Sequence, residues 1–482
     1  MAPTGITGCA CSTCNRVYAT IDQIFRVLDV YGWLLDAYVV DFFQDELWAK
    51  LPKSWTNVLE DVSPEEFGVW LMGGKCNRVW PLSLLTLRRM ANVLQICRDH
   101  LHPVSVRCCQ GPIKKEENNN TDLNNLYDNF NKQFIKRVKQ KKQHEIEKIA
   151  QVCATCARAA NTKCIVDIGA GMGHLARALA FKYGLFVTCV EQESVLSRQA
   201  RKYDKELVNL MVKKVPEFYC KTPIHISAKL EAAREERREI ITRLERAFVN
   251  NFLPDVNSFG FGLVGLHPCG DLTPTLLQIY TSERRARFIC IIGCCYMKLT
   301  LEPMGDTGRG YPLSSYLSKK ANCKLSYAAL EAACHATEKH CDKLKNGNYN
   351  DLKVHAYRAA LETILIKKSI KLRRTQLKNI KVKDCLSFEQ YCTNATEDLS
   401  QELRPSARDY KSVEMMEYLE SWKKVIIFSS IRLMLASLVE TVVLLDRFLF
   451  LSERNLCPIL KPIFDARISP RNFVLMSAKR TD

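Results

Sequence analysis

The chain predicts an α/β protein built on a mostly parallel, doubly wound sheet of seven strands. Three observations carry that expectation. From Thr162 onward, short apolar runs alternate with helical stretches. The first run, Cys164–Ile168, passes straight into a glycine-rich turn and then a helix. The chain closes on "CPILKPIFDARISPRNFVLMSAKR", two apolar runs around a turn that read as a hairpin returning to the sheet edge.

The elements follow in order. Residues 1–115 read as an N-terminal helical domain. Ile21–Leu35 and Leu82–His100 carry apolar residues at helical spacing, and Pro81 sits in the first turn of the second. "CACSTC" brings Cys9, Cys11 and Cys14 close together, but zinc sites usually need four ligands. No matching second half is evident, so a disordered tail is expected and no metal site is assigned. Residues 116–130 form a polar, asparagine-rich linker. The core is expected over 131–300. Its strands are Cys164–Ile168, Leu185–Glu191, Ile224–Ser227, Leu263–His267 and Phe288–Ile292. A helical and basic insertion is expected over 301–451, and the hairpin over 452–482.

The composition narrows the class. With 482 residues, 47% of them hydrophobic and 25% charged, the chain reads as globular with more than one domain. The net charge of +18 favours an acidic partner, RNA first among them. Segments 132–142 and 367–383 are the basic stretches that would meet phosphates; the second holds eight Lys/Arg and no acid. The 22 cysteines lie in apolar stretches with no signal peptide ahead of them. That pattern predicts a reducing, intracellular compartment, cytoplasm or nucleus. Val425–Leu451 imitates a membrane span, but Arg432, Glu440 and Asp446 interrupt it. A buried or amphipathic helix is expected there, and no membrane span.

The turn "DIGAGMG" places Asp167, Gly169, Gly171 and Gly173 in the order D-x-G-x-G-x-G. The dinucleotide fingerprint G-x-G-x-x-G would need glycine where His174 stands. The observed form resembles motif I of class I methyltransferases, which bind S-adenosyl-L-methionine. That resemblance implies a Rossmann-like fold with Asp167 facing the cofactor's cationic methionine end. Glu191 closes the second strand, 22 positions after Gly169, where an acid can take both ribose hydroxyls. A nicotinamide cofactor is the rival reading. Ala170, His174, Gln192 and Leu266 are the further candidate cofactor contacts.

"GLHPCGDLT" and "GCCYMKL" close the fourth and fifth strands. In an open α/β sheet both line the crevice at the strands' carboxyl ends. His267, Asp271 and Tyr296 are therefore the candidate catalytic residues, His267 first as a proton-handling group. "KKQHEI" precedes the first sheet strand, and Lys142, His144 and Glu145 are candidate cofactor or substrate contacts. Together with "VVDFFQDELWAKLPKSW" and "SPRNFVLMSAK", these stretches resemble the methyltransferase-like protein 25 family from about Val39 to the C-terminus. They resemble, more loosely, transfer RNA 2′-O-methyltransferases of the Trm13 type. The resemblance supplies the fold and cofactor but no firm substrate.

Two departures constrain the chemistry. Adenine amino-methyltransferases carry N/D-P-P-Y/F after the fourth strand; "HPCG" stands here, so the residues do not support adenine N6-methylation. Pro268–Cys269 matches the Pro-Cys dipeptide of pyrimidine C5-methyltransferases, but its flanking residues do not. Structural packing is expected for Cys269, Cys294 and Cys295. An RNA methyltransferase is the first expectation. A protein methyltransferase, or an inactive RNA-binding scaffold that keeps the pocket, are the alternatives.

Overall fold

A computed structural model describes residues 9–109, 112–113, 134, 138–214, 221–230, 234–253, 259–302, 310–380 and 387–480. The expected linker at 116–130 and every basic residue in 132–137 lie outside them.

The described chain forms two compact units. The first comprises Met1–Asp22, Ile96–Lys324 and Thr441–Asp482; the second comprises Gln23–Gln95 and Leu325–Glu440. The expected boundary at 115 is therefore not where the units part. The stretch from Ile96 belongs with the sheet, and much of the expected insertion shares a unit with Gln23–Gln95.

The first unit holds β1 (Val106–Arg107), β2 (Cys164–Ile168), β3 (Phe186–Glu191), β4 (Ile224–Ser227), β5 (Phe261–Cys269), β6 (Ala286–Cys294), β7 (Ile459–Pro462) and β8 (Phe473–Ala478). They make one sheet of order β1-β7-β8-β6-β5-β2-β3-β4. β2 through β6 pair in parallel, while β8 and β7 return antiparallel beside β6. The expected hairpin is thus in place. Among the described residues the sheet has eight strands rather than seven. The extra one, β1, is two residues long and pairs antiparallel with β7. A strand that short carries no period for a sequence to show.

All five residues of β2 and the last five of β3 are buried. Helices cover the sheet, as parallel strands require. Helix Gln140–Ala159 buries Ile146, Ile149, Val152, Cys153 and Cys156 into the same core as Ile165, Val187, Phe288 and Met476. Helix His174–Tyr183 adds Leu175, Ala176 and Leu179 to it.

Helix Trp422–Ser452 is long and apolar enough to cross a membrane, but 89% of its most apolar window is buried inside the protein. Its Asp446 carboxylate accepts hydrogen bonds from the backbone N–H groups of Leu313 at 2.7 Å and Ser314 at 2.8 Å. This partnering explains how a charge sits in an apolar run.

The second unit is helical. One of its cores gathers Ala360, Leu361, Ile364, Phe388, Tyr391 and Met415. Most of the basic run at 367–383 is neutralised within it. Lys367 pairs with Glu414, Lys368 with Asp409, Arg373 with Asp45, Arg374 with Asp41, and Lys378 with Glu397. Lys381 and Lys383 lie outside the described residues.

Candidate active site

Strand order reverses between β2 and β5, which places a crevice at their carboxyl ends. The β2–β3 register pairs Ile168 with Val190, so Glu191 stands one step on, beside the start of the glycine turn. Gly169, Gly171 and Gly173 have φ of +69°, +55° and +71°. L residues with side chains rarely adopt that region, which is why glycine recurs here.

The turn is already fastened to β3. The Gly169 N–H donates to the Val190 carbonyl at 2.9 Å. The Gly171 N–H donates to Glu191 Oε2 at 2.8 Å, and the Glu193 N–H to Glu191 Oε1 at 3.0 Å. A carboxylate offers about four acceptor positions, so each Glu191 oxygen keeps one for a hydroxyl donor. A Cβ on Gly171 would meet nothing within 4 Å among the described residues.

Gly173 differs. A Cβ there would stand 2.9 Å from His225 Cε1. His225 belongs to a buried brace behind the turn. Asp204 accepts from Arg177 Nε at 2.6 Å and contacts His225 Nε2 at 2.6 Å. Arg177 also donates to the carbonyls of Met172 and Ala200. No motif signals this brace, because its three members lie on three separate elements. Gly173→Ala combines backbone strain with a clash. It should lower unfolding stability by about 2 kcal/mol, as read by urea denaturation, whereas the same change at Gly171 should cost less.

Asp167 lies in β2, two positions before Gly169; it is buried, and its Oδ2 has no hydrogen-bond partner among the described residues. Burial pushes its carboxyl up to about 7, against a partial lowering by Lys142, which is exposed nearby. A cationic ligand group beside Asp167 would favour the ionised form, so binding it releases a proton below about pH 7. Affinity for a cationic ligand should therefore rise by up to about tenfold per pH unit toward pH 7 and then level off. Asp167→Asn should flatten that slope in titrations from pH 5.5 to 8.5. The folding sign is the reverse: a carboxyl at about 7 when folded and 3.8 when unfolded removes stability as pH climbs through that window.

His267 stands near the carboxyl end of β5 with φ +64°. Its Nε2 lies 3.1 Å from Glu145 Oε1. Glu145 comes from helix Gln140–Ala159, is buried, and also accepts from Ser469 Oγ at 2.6 Å. Burial would raise its pKa, but the bond and charge of His267, with Ser469 and Lys141, outweigh burial and hold it at about 2. Glu145 is therefore a fixed anion that orients the ring. In the neutral ring with Nε2–H donated to it, the lone pair is on Nδ1. The expectation for Glu145 was only a cofactor or substrate contact, with no link to His267.

Three thiols gather beside His267. Cys269 Sγ lies 3.2 Å from Cys294 Sγ and 3.3 Å from Cys295 Sγ. Its pKa falls to about 5, chiefly through the contact with Cys294, against burial.

The remaining candidates serve other contacts. Asp271 Oδ1 accepts from the Thr300 N–H at 2.9 Å and Oδ2 from its hydroxyl, which anchors the segment after β6. Tyr296 is buried, with the Arg447 and Arg471 guanidinium groups 5.4 Å and 5.6 Å from its ring centroid. His174 Nδ1 lies 3.0 Å from Arg177, and its ring stacks with Tyr203; burial, then the Arg177 charge, pushes its pKa down to about 4. His144 Nε2 accepts from the Asp465 N–H at 3.1 Å, in the loop between β7 and β8. Leu266 and Ala170 pack against the core, and Gln192 is exposed.

A family model described as a methyltransferase domain matches residues 141–302. The chain is 28% identical over 232 residues to probable methyltransferase-like protein 25 of Mus musculus, and 30% identical over 231 residues to that of Homo sapiens. Each alignment covers 45% of this chain and 37% of the relative, so the match spans little more than a third of the curated relatives' length. A solved structure, coclaurine N-methyltransferase bound to N-methylheliamine and SAH, aligns over 89% of this chain and 95% of its own at 9% identity; its TM-score of 0.21 gives it no weight.

S-adenosylmethionine is the cofactor that such a domain implies, and the residues fit it. Among the described residues, Asp167 offers a buried carboxylate oxygen with no partner, Gly171 an open approach, and Glu191 unspent acceptor positions.

Proposed function

We propose that this chain, a relative of methyltransferase-like protein 25 with a methyltransferase domain over residues 141–302, transfers a methyl group from S-adenosylmethionine to RNA. The observation that carries the reading is the turn already tied to Glu191, with no described atom within 4 Å of a Cβ on Gly171 and the orphaned Asp167 oxygen in the strand that leads into it.

When bound, the cofactor supplies a methyl group already activated by its sulfonium. The protein's work is then alignment and proton removal. Asp167 holds the cationic methionine end, and Glu191 holds the ribose. Nδ1 of His267 takes the proton of the acceptor group, while Glu145 stabilises the imidazolium that forms. Such a base suits a ribose hydroxyl better than an adenine amine, for which the clamp residues are missing.

The net charge of +18 supports RNA as acceptor. So do exposed Lys139, Lys141 and Lys142, which lie at the start of the helix that carries Glu145. The ion pairs that neutralise most of the 367–383 run favour a second reading, a protein acceptor.

The test compares methyl groups in RNA and protein from cells lacking this chain with those from rescued cells, by mass spectrometry. A modified nucleoside restored on rescue supports the first reading. Restoration confined to protein supports the second. No change in either, with RNA binding kept, would leave only the scaffold.

A further inference from the structure

The N-terminal cysteines are not a free tail. Cys14 sits in the first turn of helix Ser12–Tyr31 and is buried. Cys108, also buried, directly follows β1, 94 positions further on. The two Sγ atoms are 3.5 Å apart. Cys9 and Cys11 complete a quartet whose four Sγ atoms all lie within 4.8 Å of one another. All four belong to the sheet-bearing unit. We propose that Cys9, Cys11, Cys14 and Cys108 hold one zinc ion as a structural tetrathiolate site.

Chemistry and geometry agree. Zinc–thiolate bonds of about 2.3 Å in a tetrahedron put the sulfurs about 3.8 Å apart, close to the observed Cys14–Cys108 spacing. Cys11-x-x-Cys14 is a chelating pair, and the Cys14 N–H points at Cys11 Sγ from 3.5 Å, a bond that stabilises sulfur as a thiolate. Cys9 Sγ and Cys109 Sγ are 2.8 Å apart, beyond a disulfide's length of about 2.05 Å. Binding converts four thiols to thiolates, releases four protons, and changes no oxidation state. The site would fasten the start of the first helix to the sheet edge at β1. It closes a long chain loop, which is where a cross-link constrains the unfolded chain most. Cys109 touches Cys9 but lies outside the quartet, so it is not a ligand.

The full chain, purified without added metal, is assayed for zinc by plasma mass spectrometry. One zinc per chain is expected, released by a mercurial reagent as four thiols react. Cys14→Ser and Cys108→Ser should lose the metal, and Cys109→Ser should keep it. Should the serine variants fail to fold, wild-type chain stripped by a chelator is titrated with cobalt(II), and the strong absorption of tetrahedral cobalt–thiolate is expected. Four freely alkylated thiols that zinc does not protect would overturn the proposal. So would a disulfide within the cluster, zinc kept by Cys14→Ser and Cys108→Ser, or zinc lost from Cys109→Ser. None of these outcomes depends on methyl transfer.

Discussion

Gly171→Trp should abolish binding of S-adenosylhomocysteine, by at least about 100-fold in affinity, while the chain stays folded. The two halves of that result have separate causes. A Cβ at Gly171 meets no atom of the described residues within 4 Å, so a large side chain there breaks no packing among them. Its φ of +55° costs a non-glycine residue about 1 kcal/mol, too little to unfold a domain. The space over this glycine is where the adenosine must lie, so the indole ring would displace it. Calorimetric titration gives the affinity and far-ultraviolet circular dichroism the fold. Binding retained within a few-fold would place the ligand elsewhere.

The second large effect concerns the Glu145–His267 pair. His267 occupies the left-handed region, where asparagine is tolerated better than alanine, so His267→Asn is the cleaner variant. It should lower turnover by about 10²–10⁴, the span expected when acid–base help is lost. Affinity for S-adenosylhomocysteine should stay within a few-fold, because the pair is not part of the glycine turn. Glu145→Gln keeps the shape and removes the charge that stabilises an imidazolium. It should lower turnover by at least about tenfold, with the loss in kcat rather than in cofactor affinity. Single-turnover measurements on the acceptor found by mass spectrometry separate these terms. Unchanged rates would remove His267 from the reaction.

How much could be read in advance followed the range of the interactions. β2, β5 and β6 were legible because buried parallel strands are largely apolar runs, and each run ended in a glycine, histidine or cysteine motif. The place of Glu191 was legible because both it and the glycine turn close neighbouring strands. What could not be read depends on partners distant in the chain. Glu145 and His267 are 122 positions apart, and nothing in "KKQHEI" names its partner. The Arg177–Asp204–His225 brace has the same character. β1 is too short to show a period, yet it brings Cys108 to the N-terminal cysteines. The 367–383 run shows the opposite error. Its charge was plain in the sequence, but the aspartates and glutamates that face it were not.

The most direct test of the central claim is a crystal structure of the full chain with S-adenosylhomocysteine. The account predicts the ribose hydroxyls on Glu191, the adenosine passing over Gly171, and the amino group beside Asp167. A ligand bound away from that turn, or a Glu191 still held only by the amides of Gly171 and Glu193 beside an occupied crevice, would contradict it.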